Sequence, residues 1–321
     1  MTGVQTCALP ISRTSPISLD AISDMQVVIA PYDVKLGNFV GGSINAVTRS
    51  GTNKLHTSVY GYGRSNLITG PDNAGDRSTI PSGYYDYQTG FRVGLPLKKD
   101  KLFLFVNSEV TQRNEPLFYG AGDNGTFMTK DLAKRIVDSL GSSTFMPTTQ
   151  FNPRGTYNPG AYEDYSIYSK SIKFFTRFDW NINENNKLTV RTNLISSSAT
   201  NLERSANEFQ FGSYDFTQKN INSSTVTELK SKISDKLSNN FIGGFTYIKD
   251  YREPSGDLFP QIQINNVNGS GRVLLGTNRE AGVFNMGQKT IEITNNLTYL
   301  YNKHKFTLGT HNELYNIDYG F

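Results

Sequence analysis

From residue 54 to residue 314 the chain repeats one pattern: short segments whose side chains alternate apolar and polar with a period of two. Over 84–95, Tyr85, Tyr87, Thr89, Phe91, Val93 and Leu95 fall on one face, opposite Tyr84, Asp86, Gln88, Gly90 and Arg92. Over 172–180, Ile172, Phe174, Thr176, Phe178 and Trp180 oppose Lys173, Phe175, Arg177 and Asp179. Over 187–194, Leu188, Val190, Thr192 and Leu194 oppose Lys187, Thr189, Arg191 and Asn193. Over 305–314, Phe306, Leu308, Thr310 and Leu314 oppose Lys305, Thr307, Gly309, His311 and Glu313. Segments 102–111, 224–233, 241–250 and 290–301 repeat the pattern with interruptions such as Asn295. A period of two places each set on its own side of a β-sheet. The first such segment, 54–64, puts Leu55, Thr57 and Val59 on one side and His56, Ser58, Tyr60 and Tyr62 on the other.

The connections narrow the choice further. Short turns at "KKD" (98–100), "NENN" (183–186), "SDKLS" (234–238) and "NKH" (302–304) alternate strictly with long connections at 65–83, 114–167, 199–218 and 253–286. In an antiparallel meander this puts every turn at one end and every long loop at the other. A barrel spanning an outer membrane sorts its connections this way, with short periplasmic turns and long extracellular loops. The segments match a tilted span of roughly 9–11 residues. Hydrophobic residues make up only 36% of the chain, and mean hydropathy is -0.45. No apolar run reaches the roughly 18 residues of a membrane helix, whereas alternation conceals the apolar face of a membrane strand. Tyr85, Tyr87, Trp180, Tyr299 and Tyr301 sit near segment ends, as aromatic girdles do. The sequence therefore predicts an all-β fold, a partial antiparallel transmembrane β-barrel of about nine strands. The apolar face meets lipid and the polar face lines the lumen. Within the longest connection, Leu132, Ile136, Val137 and Leu140 recur at helical spacing before Gly141, so "TKDLAKRIVDSL" (129–140) reads as a helix on the outer surface.

Residues 17–50 differ. "MQVVIA" and "SINAVTRS" read as short buried strands joined by the turn-rich "PYDVKLGNFVGG", the end of a small α/β domain. "SGTN" (50–53) leads out of it, with Gly51 expected to supply a permissive turn and Thr52 and Asn53 to satisfy local amides. His56, Ser58 and Tyr60 are expected to face inward, toward Asn45 and Arg49. "MTGVQTCALPIS" (1–12) lacks the basic flank of a signal peptide and reads as the translation of a sequencing adapter, an artefact. It holds Cys7, the single cysteine, so the remainder has none, as suits an oxidising compartment.

"ISLDAISDMQVVIAPYDVKLGNFVGGSINAVTRSGTNKLHTSVYGYGRS" (17–65) resembles the end of the plug and the start of the barrel in TonB-dependent outer-membrane receptors. It is most similar to the Oar-like branch of Bacteroidetes type, "APYDVKLGNFVGGSINAVTRSGTN" being the specific part. The resemblance implies a barrel of about 22 strands with the plug inside. On that reading residues 13–50 end the plug and 51–321 begin the barrel. The chain is then an incomplete fragment, lacking the TonB-contacting segment, any signal peptide and the later strands. The implied function is energised uptake of a large nutrient across the Gram-negative outer membrane. The implied partners are outer-membrane lipid and TonB. An adhesive or structural surface protein without transport is the alternative, and a secreted β-sandwich a third reading.

No catalytic, cofactor or metal site is expected, and no enzyme activity. His56, His304 and His311 lack metal-ligand spacing, "DNG" (123–125) lacks the remaining positions of a calcium loop, and "GGSIN" (41–45) precedes a strand rather than a helix. Net charge is +4, from 32 basic and 28 acidic residues scattered singly, so no nucleic-acid partner is expected. On the polar faces, Glu109, Asp179, Glu228, Glu292 and Glu313 alternate with Arg92, Lys173, Arg177 and Arg191. These charges are expected to pair with one another and with the plug.

Overall fold

A computed structural model describes residues 15, 17–29, 42–70, 82–142 and 156–320. The readings of 1–12 and of most of "PYDVKLGNFVGG" lie outside the described residues, as do 71–81 and 143–155 within the long connections. In chain order the strands are β1 (Ile22–Ile29), β2 (Gly42–Thr48), β3 (His56–Ser65), β4 (Tyr85–Lys98), β5 (Leu102–Pro116), β6 (Ser166–Asn183) and β7 (Asn186–Thr200). There follow β8 (Glu208–Gln210), β9 (Phe216–Lys232), β10 (Leu237–Pro254), β11 (Ile262–Val267), β12 (Gly271–Leu275), β13 (Asn285–Tyr301) and β14 (His304–Gly320). Two helices, α1 (Lys130–Leu140) and α2 (Arg279–Val283), lie in the connections.

Nine strands form one sheet in the order β14-β13-β10-β9-β7-β6-β5-β4-β3, each pair antiparallel, with β3 and β14 at its two edges. It is an open wall, and the nine alternating segments are its nine strands. The turn chemistry explains its sharp ends. Asp100 and Asn302 take the left-handed conformation (φ 59 and 52) that short polar side chains tolerate best. Asn183 Oδ1 accepts from Asn185 N at 3.0 Å, and Ser234 Oγ accepts from Leu237 N at 3.1 Å. Each side chain thereby supplies the partner that a tight turn denies its backbone.

The strands are longer than the pattern suggests. Apart from β3 they run 14–18 residues, not the roughly 9–11 of a bare span. Alternation of polarity stops where lipid stops, but backbone pairing between antiparallel neighbours continues past it. Among the described residues no helix is long and apolar enough to cross a membrane.

Two smaller sheets accompany the wall. β1 and β2 pair antiparallel with a register shift between Ile22 and Asp24. β11, β12 and β8 form a three-stranded sheet in which β12 runs parallel to β8. Those three strands come from two different long connections, so connections expected to be loops carry structure of their own. Helix α1 forms where expected, with Thr129 Oγ1 capping Leu132 N at 3.2 Å and Gly141 at its C-terminal end.

Candidate functional site

The two faces of the wall reverse the order of a soluble protein. Ile172, Phe174, Trp180, Leu194, Phe241, Ile291 and Leu308 are exposed, whereas Asn107, Glu109, Lys173, Asp179, Arg191, Asn193 and Glu228 are buried. Lys173 is 3% exposed while its neighbour Ile172 is 58% exposed, the reverse of the usual rule that lysine stays in water and isoleucine leaves it. The inside is therefore polar and the outside apolar, as in a wall facing lipid.

The segment before the wall docks on the polar face. Glu109 is its anchor: its carboxylate accepts from Ser18 Oγ at 2.7 Å, Tyr60 Oη at 2.8 Å, Gln88 Nε2 at 2.9 Å and Lys173 Nζ at 2.8 Å. Lys173 donates as well to Ser15 Oγ at 2.8 Å. A second link joins Arg92 to Asp20 at 3.0 Å, and Arg49 Nε donates to the Asp20 carbonyl at 3.1 Å. A third joins Arg177 to the Thr48 carbonyl at 2.8 Å, while its Nε and Nη2 grip the Asp179 carboxylate at 2.7 and 3.0 Å. Between them Phe105 and Phe175, apolar side chains on the polar face, form a seat for Ala21 and Ile17. Buried charges are stable only when paired and hydrogen-bonded, and these are.

Two local expectations change. Tyr60 does face inward, but it meets Ser18 at 3.1 Å rather than Asn45. Gly51 is needed for space and not for a left-handed turn: it has no positive φ, and a Cβ there would lie 2.6 Å from the Leu104 carbonyl oxygen and 2.9 Å from that of Leu95. The chain leaves the docked segment pressed against β4 and β5. Asn53 then clasps the neighbouring turn, accepting from Asp100 N at 2.8 Å.

Of the other candidates, His56 lies on β3, while His304 and His311 are on β14. His311 contacts Thr294 Oγ1 at 2.7 Å and Glu313 at 2.9 Å. Lys230 pairs with Glu228 at 3.2 Å. Asp123 serves its own turn, accepting from Gly120 N at 2.8 Å.

At the loop end of the wall, three long connections fold into one cap. Its core joins Met128, Ala133 and Leu140 from the first, Phe209 and Phe211 from the second, and Phe259, Val273 and Leu275 from the third. Tyr157 stacks on Phe259 with centroids 3.7 Å apart. Gly276 (φ +85) closes the turn after β12. Asp215 ties the parts together: its carboxylate accepts from Tyr165 Oη at 2.7 Å and Asn201 N at 2.9 Å, and its carbonyl accepts from Ser255 N at 2.9 Å. Burial pushes the Asp215 carboxyl upward, and burial together with the Asp215 carboxylate pushes the Tyr165 phenol upward. Arg204 donates to the carbonyls of Gln210, Ala161 and Glu163 and lies 4.5 Å above the Phe209 ring. Burial lowers its guanidinium to about 10. In sequence, "EFQFG" (208–212) and "GRVLLG" (271–276) carry the signal for this cap, but runs of three to five apolar or alternating residues do not reveal which distant partner they meet.

A polar-lined, lipid-facing wall with a docked inner segment and a folded outer cap defines an outer-membrane β-barrel protein. Residues 47–320 match the family model of the outer membrane beta barrel domain, and the chain belongs to that family. The TonB-dependent transporter Oar of Myxococcus xanthus is 27% identical over 195 residues, covering 59% of this chain and 17% of that protein. The outer membrane transporter YddB from Escherichia coli superposes with a TM-score of 0.58 at 13% identity, covering 93% of this chain and 35% of that chain. The chain thus spans about a sixth of Oar and about a third of YddB. Its place is the outer membrane of a Gram-negative cell.

Proposed function

We propose that the chain is the plug-proximal part of a TonB-dependent receptor of the Oar-like branch, taking up a nutrient too large for a porin. On this reading residues 13–50 end the plug, residues 51–321 begin the barrel, and TonB supplies the energy. The observation that carries it is the docking of Ser18, Asp20 and Thr48 on the inner wall through Glu109, Arg92 and Arg177. A segment held inside a barrel by a few buried polar links blocks the lumen and can be released when those links break. The kinship with Oar, itself named a TonB-dependent transporter, supports the reading.

The folded cap favours one alternative, an adhesive surface protein, because a rigid outer surface suits partner binding without passage. Deleting the gene and measuring uptake of candidate ligands, with and without TonB, separates the two. Transport predicts TonB-dependent loss of uptake of at least one large ligand. Unchanged uptake with lost surface adhesion sinks the transport reading.

A further inference from the structure

The lipid-facing side of the wall carries a pattern that the transport reading does not use. On four strands, a lysine stands on the outward face two positions from an apolar or aromatic side chain of the band, toward the cap. Lys170 follows Ile172 on β6, Lys219 follows Ile221 on β9, Lys249 follows Tyr247 on β10, and Lys289 follows Ile291 on β13. Register sets Lys170 and Lys219 level, both opposite Ser198, and then steps the row: Lys249 pairs with Ile221, two residues nearer the apolar band than Lys219, and Lys289 pairs with Tyr247, two residues nearer again. Among the described residues only Lys219 of the four has a carboxylate partner, Glu253 at 2.5 Å, and Asp318 of β14 shares the face. The other end of the apolar band is built differently, from Trp180, Tyr299, Tyr301 and Phe306.

Between Lys170 and Lys219 lies an open groove of about 360 Å³. Ser196 and Ser198 leave it room, Tyr251 walls it, and Ile172 and Ile221 continue it into the apolar band. The Lys170 ammonium lies 5.0 Å from the Tyr168 ring and that of Lys219 lies 5.8 Å from Tyr251, so both stems are held against the wall with their charges toward the headgroup zone. The two lysines stand two strands apart, roughly 10 Å.

We propose that this groove binds the headgroup of a phosphorylated glycolipid in the outer leaflet, with Lys170 and Lys219 each taking a phosphate and Lys249 and Lys289 extending the cationic row. Cations at the edge of an apolar band attract anionic headgroups at close range. The serine hydroxyls donate to phosphate oxygens, and an acyl chain runs down over Ile172 and Ile221. The proposal rests on the cap lying outside the cell.

The test uses the full chain, reconstituted in phosphatidylethanolamine bilayers containing either diphosphoryl lipid A or phosphatidylglycerol, and counts retained lipid by native mass spectrometry. Retention of diphosphoryl lipid A is expected to fall at least tenfold in the double variant Lys170→Gln, Lys219→Gln and to persist in Lys170→Arg, Lys219→Arg. Dephosphorylated lipid A is expected to be retained as weakly by wild type as by the glutamine variant. The arginine variant guards against a folding defect, since both variants change the same positions. Equal retention by wild type and the glutamine variant overturns the proposal, as does indifference to the phosphates. Preference for phosphatidylglycerol over lipid A overturns it too. Surface labelling of the cap reports the topology separately, so a failed groove and an inverted wall are told apart.

Discussion

At Glu109 one carboxylate joins the docked segment, β3, β4 and β6, and it does so where side chains are only 1–4% exposed. Removing one partner of such a pair leaves the other charged and dry, costing about 3–5 kcal/mol. Glu109→Ala is therefore expected to lower the unfolding free energy of the folded protein in lipid by that amount. The double change Glu109→Gln, Lys173→Met is expected to recover most of it, because neither buried charge remains. A double variant as unstable as the single one excludes the pair as the cause. Gly51 offers a second test at this scale. Gly51→Ala forces a Cβ against two carbonyl oxygens and is expected to cost about 1–3 kcal/mol, while Gly61→Ala, with nothing within 4 Å, is expected to be silent. The yield of heat-modifiable folded protein compares them; equal yields remove the close-approach argument.

Among the elements, the cap holds the clearest prediction. Phe211 is fully buried where the three connections meet, and Phe211→Ala is expected to cost the cap about 3–5 kcal/mol. Limited proteolysis then cuts within 201–284 while the wall stays intact; resistance equal to wild type means the cap is not held by this core. Tyr165 adds a pH dependence. Its folded pKa is raised, chiefly by burial and then by Asp215, so the closed cap keeps a proton that the open cap loses. Its contribution is full below about pH 10, where an unfolded tyrosine ionises, and is lost as pH rises through the folded value. A tyrosinate absorbance titration is expected to show one late step in wild type that is missing in Tyr165→Phe. Identical titrations rule this out. Helix α1 was legible because Thr129, the apolar spacing and Gly141 mark both of its ends locally. The three-stranded sheet was not, because β8 has three residues and its partner β12 lies some sixty positions away.

For the whole molecule, the reversal of inside and outside is what the sequence displayed best. A period of two is a local property, so each strand announces its own two faces, and sorted connections announce which end is which. The docking of Ser18 on Glu109 spans 91 positions and has no local trace. Inner-face positions are not alike: Lys173 and Thr189 are committed to Glu109 and Asp179, whereas Thr307 is exposed. Charges introduced at Phe174, Val190 or Leu308 are expected to oppose membrane insertion by about 2–4 kcal/mol near the midplane, and a charge at Thr307 to be tolerated. Equal insertion of all four variants inverts the assignment of the faces. Cysteines at Gly122 and Gly256 are expected to react with impermeant reagents on intact cells, and cysteines at Lys99 and Asn185 to react only after the outer membrane is opened. The reverse pattern turns the wall over.

The cap has a consequence for the order of assembly. Each wall hairpin closes between neighbours in sequence, but Phe209 and Phe211 have no sheet to join until β12 has been made and placed beside β8. On the proposed topology all three connections reach the cell exterior only by crossing the membrane with their strands. The cap core is then the last part of the chain to form, from loops that travel open and close on arrival. Contacts of such long sequence separation form slowly. A newly inserted wall therefore spends an interval with its outer aromatic side chains bare, and that is when the protein is most vulnerable to proteases and to mispairing with its neighbours.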